Sequence, residues 1–271
     1  MDFISLMAAP CAMCLILVGI HVYLGTHVLA RGVIFVDLSL AQISALGATV
    51  ALLLDYNLES TQAYLFSLLF TVGAAAIFSF IRVHHEDISQ EAVIGIVYAV
   101  AAAAVVLVMD RAPHGAEHIK TLLVGSVLFV TWTKVIHTAV IYALIGLFHW
   151  FFRKCFCRIS FESEEVQPTR ISRRLWDFLF YASLGFVVTS SVQIVGVLLV
   201  FSFLIIPATT SFLFASRLSS RLALGWSVGA GVSIVGCALS YTLNLPTGAT
   251  IICSFGTLLA LLTVGKRFVR I

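Results

Sequence analysis

Stretches of about twenty apolar residues recur from one end of this 271-residue chain to the other, and that pattern restricts the fold more than any motif does. About 20 consecutive apolar residues carry an α-helix across a bilayer. Within hydrocarbon a spanning segment has to satisfy its own backbone polar groups, which a helix does internally. The composition agrees: 61% of residues are hydrophobic and 11% charged, against about 25% charged in an average soluble domain. No segment of soluble composition is long enough to bury a core of its own. The sequence therefore predicts an all-α, polytopic membrane helix bundle, organised as one integral domain over residues 1–271. The first run carries Asp2 and lacks a basic start, so it reads as a first span and not as a signal peptide.

Nine spans are expected, at about residues 6–29, 33–54, 62–82, 90–109, 133–152, 175–190, 193–214, 222–243 and 247–265. Only Ser191 and Val192 separate the sixth from the seventh, so the pattern accommodates about 8–10 transmembrane helices. Basic residues accumulate on the cytoplasmic side of a membrane protein. With the N-terminus outside, all but Arg111, Lys120 and Lys134 of the 16 Lys and Arg fall on the inner side. The inner connection at about 153–174 holds six of them with Glu162, Glu164, Glu165 and Pro168, and reads as a solvated cytoplasmic loop. The outer connection at about 110–132 ends in TLLVGSVLFVTW, apolar but short, which suits an interfacial or re-entrant segment. Four of the six cysteines lie in spans and act as small hydrophobes, while Cys155 and Cys157 fall in the inner loop, where they are expected reduced.

The stretch from Val197 to Gly225 departs from a plain span. Pro207 removes a backbone donor and collides with the preceding turn, so the helix is expected to kink or end there. Beyond it, Thr209, Thr210 and Ser211 lead to Arg217 and Arg221, with Phe212, Leu213, Leu218 and Leu222 keeping an apolar face. That pattern fits a short surface helix at about 208–222. One reading is a proline kink followed by a basic anchor. The other is a docking element that a cytoplasmic partner grips, engaging Pro207, Thr210, Ser211, Arg217 and Arg221.

The segment Gly196–Ser211, GVLLVFSFLIIPATTS, preceded by Val192-Gln193-Ile194-Val195, resembles the most recognisable stretch of the ABC-3 family, the permease subunits of ABC importers for zinc, manganese and iron. Two more patches are similar to that family in order along the chain: Gly25, Arg31-Gly32, the polar run 37–42 and Gly47, then Glu91-Ala92-Val93-Ile94-Gly95-Ile96. Leu122-Leu123-Val124-Gly125-Ser126 is a weaker echo. The resemblance implies a type II ABC importer-like fold in the bacterial inner membrane and a homodimer. It further implies an extracytoplasmic metal-binding protein outside and ATPase subunits gripping the 208–222 coupling helix inside. The chain has no G-x-x-x-x-G-K-[ST] phosphate loop, so ATP would be bound and hydrolysed on a separate subunit. No covalent chemistry, permanently bound cofactor or nucleic-acid partner is expected; a divalent metal ion would be the cargo.

Ionisable groups within spans cost at least about 2.5–3.5 kcal/mol and mark pathways or paired sites. Asp37 and Glu91 are the candidates. The family carries an Asp and a His four residues apart on the second span as part of a metal site, and alignment on Arg31-Gly32 and Gly47 puts Leu38 and Gln42 at those positions. Asp37 stands one residue early, about 100° round the helix. A set of Asp37, Gln42 and Glu91 offers oxygen donors only, suited to a hard or hydrated ion. The competing reading is helix-to-helix hydrogen bonding. In the outer connection, His114 and His118 are four apart with Glu117 between them, a spacing that chelates a divalent cation if helical. The same H-x-x-E-H string occurs in one class of zinc peptidases, which makes a membrane metallopeptidase one rival. A secondary carrier binding at a helix broken by Pro207 is another.

Overall fold

The computed structural model describes residues 3–58, 60–80, 89–110, 123, 125, 127–162 and 170–269. Those residues form ten α-helices and one 3-10 turn, with no strand among them. In chain order the helices are α1 (Phe3–Arg31), α2 (Val36–Leu53), α3 (Thr61–Phe80), α4 (Gln90–Met109), α5 (Trp132–Phe151), α6 (Arg153–Phe161), α7 (Arg170–Val195), α8 (Val197–Phe214), α9 (Leu218–Leu243) and α10 (Thr247–Val269). Among the described residues, nine of these are long and apolar enough to cross a membrane, all but α6. The expected all-α polytopic bundle is what forms.

The chain divides into two compact units, one of residues 1–29, 124–146 and 194–271, the other of residues 30–123 and 147–193. In the first, glycines let helices approach to backbone distance. A Cβ on Gly25 would stand 1.9 Å from the Leu204 carbonyl oxygen, and Cβ atoms on Gly225 and Gly229 would stand 2.6 Å from Val22 and Val18. Small residues serve this purpose in membranes because hydrocarbon offers no hydrophobic drive between helices and close packing has to supply it. Trp226 Nε1 donates to the Gly19 carbonyl at 3.0 Å, and Phe203 meets Phe255 edge to face at 5.8 Å. Asn244, in the left-handed region, ends α9, and Ser240 and Thr247 exchange a hydroxyl bond at 2.8 Å across the turn into α10.

The boundary between the sixth and seventh spans differs from the expected one. Helix α7 runs through Ser191 and Val192 to Val195, and Gly196 at φ 80° breaks the chain. Serines do not interrupt a helix when their hydroxyls turn back onto it: Ser190 donates to Phe186 O at 3.0 Å and Ser191 to Val187 O at 2.7 Å. The turn at Gly196 is crossed by Gly125, itself at φ 66°, whose Cβ would lie 2.1 Å from the Val195 carbonyl carbon. Val127 of the following 3-10 turn is buried. Of the apolar stretch expected to be interfacial or re-entrant, Gly125 and Val127 pack into the unit here, whereas Phe129 and Trp132 are exposed.

In the second unit α2 packs on α3 and α4. Gly47 faces the Phe66 carbonyl, where a Cβ would stand at 2.6 Å, and the Thr71 and Thr189 hydroxyls meet at 3.1 Å. The inner connection is not simply a solvated loop. Residues 153–161 form the amphipathic α6, with Phe156, Ile159 and Ser160 buried. Phe156 lies flat against His149, 4.1 Å between ring centres, and edge-on to Trp176 at 5.5 Å. Burial, assisted by Glu162 and opposed by Arg153, pushes the Cys157 thiol up, so it stays protonated.

Candidate cation site and docking corner

Helix α1 ends at Arg31, Gly32 takes φ 68°, and the turn delivers the chain into α2. Asp37 is then in the first turn of α2, as Glu91 is in the first turn of α4. Both carboxylates therefore sit where unpaired N–H groups and the helix dipole favour negative charge. Glu91 Oε1 accepts the Phe35 N–H at 3.0 Å, which fastens α4 to the turn ahead of α2. Asp37, two residues beyond that N–H, is 1% exposed. Each acid retains one buried oxygen, Asp37 Oδ1 and Glu91 Oε2, with no hydrogen-bond partner among the described residues. Buried polar atoms are rarely left so. Each is thus a negatively charged oxygen left without a protein donor among the described residues, at the N-terminus of its helix.

Gln42 is buried as well. Five residues beyond Asp37, it stands about 140° round the helix and about 7.5 Å further along it. Among the described residues no group of three or more His, Cys, Asp or Glu is arranged to hold a metal. Carboxylate oxygens of this kind are the donors that hard, partly hydrated cations take. His114, Glu117 and His118 lie outside the described residues, as does His84-His85-Glu86-Asp87.

Behind this pair lies a cluster that sequence reasoning passed over. Arg31 Nη1 donates to Asp177 Oδ1 at 2.8 Å, with both side chains 4% exposed. Its Nε donates to Ser160 Oγ at 2.9 Å, and its guanidinium carbon stands 3.8 Å over the Phe180 ring. The arginine thereby joins the end of α1 to α6 and α7. Tyr181, next to Phe180, accepts from Gln90 Nε2 at 3.2 Å, one residue before Glu91. The mounting of both acids traces back to this pin.

The second candidate region is the α8–α9 connection. Helix α8 does not end at Pro207 but continues to Phe214. Just beyond the proline, Thr210 donates to Ile206 O at 2.8 Å and Ser211 to Ala208 O at 2.7 Å, so both hydroxyls turn back onto their own helix. The break comes at Ala215–Arg217, and α9 starts at Leu218. The short helix expected at 208–222 is thus a corner between two long ones. Two cations close it. Arg221 Nε donates to Ala215 O at 2.9 Å with its guanidinium carbon 3.7 Å over Phe212. Lys266 donates to Leu213 O and stands 5.1 Å over the Phe214 ring. Basic groups favour a helix C-terminus because they meet its unpaired carbonyls. Of the five residues expected at a docking surface, Pro207, Thr210 and Ser211 are buried, Arg221 is folded back on the corner, and Arg217 alone is exposed. It is flanked by exposed Phe214, Ser216, Ser219 and Ser220.

With that geometry in place, comparison with known proteins is decisive. The sequence model of the ABC 3 transport family matches residues 4–266. The chain belongs to the ABC 3 transport family. Among curated relatives, the "Manganese transport system membrane protein MntC" of Listeria monocytogenes is 24% identical over 233 residues, 84% of this chain and 79% of that one. The "Probable iron transport system membrane protein" of Haemophilus influenzae is 30% identical over 196 residues, 70% of this chain and 72% of that one. Among solved structures, PsaBC of Streptococcus pneumoniae in complex with Fab superposes with a TM-score of 0.77 at 21% identity, covering 96% of this chain and 94% of that one. The fold is that of an ABC transporter permease, and this ABC 3 family member is a multi-pass protein of the bacterial inner membrane.

Proposed function

We propose that the chain is the membrane-spanning permease of an ATP-driven importer for a divalent metal ion of the manganese, iron or zinc class. The ion would pass from an extracytoplasmic binding protein to the cytoplasm through a homodimer. The names of the manganese and iron relatives support the cargo class. The observation that carries the reading is the pair of buried, unpartnered oxygens of Asp37 and Glu91 at two helix N-termini. Two fixed carboxylates attract a divalent ion yet leave most of its coordination to water, which permits release as well as capture. ATPase subunits would grip the exposed rim of the α8–α9 corner and switch access from one side to the other.

Uptake by proteoliposomes containing the cognate ATPase tests this reading across several cations. Asp37→Asn and Glu91→Gln are each expected to lower metal uptake at least about tenfold, because one charge contact at about 4 Å is worth about 4 kcal/mol near a protein surface. Unchanged uptake in both variants removes the pair from the pathway. Uptake without ATP or ATPase refutes the importer. At the corner, Arg217→Ala is expected to weaken capture of the ATPase several-fold without moving the melting temperature, as rim charges do. Arg221→Ala is expected to cost about 1–2 kcal/mol of stability by freeing the Ala215 carbonyl. Equal effects of the two on melting would show that Arg217 is part of the corner's own structure.

A further inference from the structure

We propose that the end of α5 and the whole of α6 form a binding surface for anionic lipid headgroups. The last turn of α5 exposes Trp150 and Phe151, and Phe152 beyond it is exposed too. Aromatic rings in such a band settle at the headgroup level of a bilayer. Immediately after them α6 exposes Arg153, Lys154 and Arg158. Its apolar side is not available for insertion, since Phe156, Ile159 and Ser160 are buried in the protein. Lys154 and Arg158, four residues apart, share the side opposite that buried face. The helix is therefore pinned by its apolar residues with its cations turned outward, beside a row of aromatics that sets its depth.

Two further groups bear on the charge of this surface. Glu162 stands 3.5 Å from Arg158, both about half exposed at 46% and 51%, and a pair so exposed holds its partner weakly. Arg153 Nη1 donates to Trp150 O at 3.1 Å with its guanidinium carbon 4.9 Å over the indole, which ties the basic group to the aromatic one. A net excess of positive charge at headgroup depth selects phosphate-bearing lipids of net negative charge over zwitterionic ones. Basic residues near an anionic surface contribute about fivefold each in relative association.

The test uses the full chain in vesicles of phosphatidylcholine mixed with phosphatidylglycerol, one lipid or the other brominated. Quenching of tryptophan fluorescence is compared between the otherwise intact chain and Trp150→Phe, whose difference isolates Trp150. Phosphatidylglycerol is expected to be preferred at least about fivefold there. The preference should fall towards unity in the double variant Lys154→Gln, Arg158→Gln, survive in Lys154→Arg, Arg158→Lys, and shrink with salt. Equal quenching by both lipids, or a preference that the Gln variant retains, overturns the proposal. So does a Gln variant that keeps its lipid preference and instead loses capture of the ATPase, since the partner of this face is then a protein.

Discussion

Arg31→Met is expected to leave a chain that accumulates poorly and melts far below the parent, with a loss of about 3–5 kcal/mol. The substitution strands the Asp177 carboxylate in a site where its side chain is 4% exposed. It also removes the donor to Ser160 and the cation over Phe180. Breaking one side of a buried pair costs more than the pair itself contributes, because the survivor keeps its desolvation penalty. Asp177→Asn is expected to be milder, since an amide oxygen still accepts from the guanidinium. The double variant Arg31→Met, Asp177→Leu should recover much of the loss by removing both charges. Thermal unfolding in detergent measures all three. A single Arg31→Met variant that melts with the parent would mean that water reaches Asp177. Because Arg31 precedes the Gly32–Phe35 turn and Tyr181 holds Gln90, this variant should also displace Asp37 and Glu91 from one another.

That cluster marks where sequence reading ran out. The spans were legible because hydrocarbon demands about 20 apolar residues per crossing and tolerates few exceptions, so the nine expected runs coincide with nine helices. Asp37 and Glu91 were legible for the same reason, as charges where charges are costly. Asp177 was passed over although it lies in the expected sixth span, because it stands two residues inside the span's edge, next to the arginines of RISRRLWDF. The amphipathic α6 was hidden likewise. RKCFCRISF reads as a basic loop unless Phe156 and Ile159 are taken together at a spacing of three. Pro207 and Ser191 misled in the other direction, since both are punctuation in water and both lie inside helices here, Ser191 with its hydroxyl bonded back to Val187 O. Gly196 is the true break, because only its positive φ turns the chain. That Gln42 stands about 140° round α2 from Asp37 was already contained in their spacing of five.

Gly25→Ala carries the second large effect, and it tests how closely two backbones meet. The added methyl would stand 1.9 Å from Leu204 O and 2.8 Å from Leu204 C, both atoms of the main chain of α8. A side chain in that position could turn aside, whereas a carbonyl within a helix moves only with the helix. Restoring an ordinary contact of about 3.5 Å requires α1 and α8 to separate by more than an ångström, and overpacking of this kind costs about 1–3 kcal/mol. The gain in helix propensity, about 1 kcal/mol for Gly to Ala, offsets only part of the upper figure. Gly19, on the same helix with nothing within 4 Å of its Cβ position, supplies the control. There Ala is expected to leave stability unchanged or raise it by up to about 1 kcal/mol. Melting temperatures of the two variants should therefore move apart, and the difference cancels propensity, detergent and expression effects common to both. If they move together, α1 and α8 are not in backbone contact at Gly25. If they separate as expected, uptake should fall in Gly25→Ala and not in Gly19→Ala, since α8 carries the corner that Arg221 and Lys266 close.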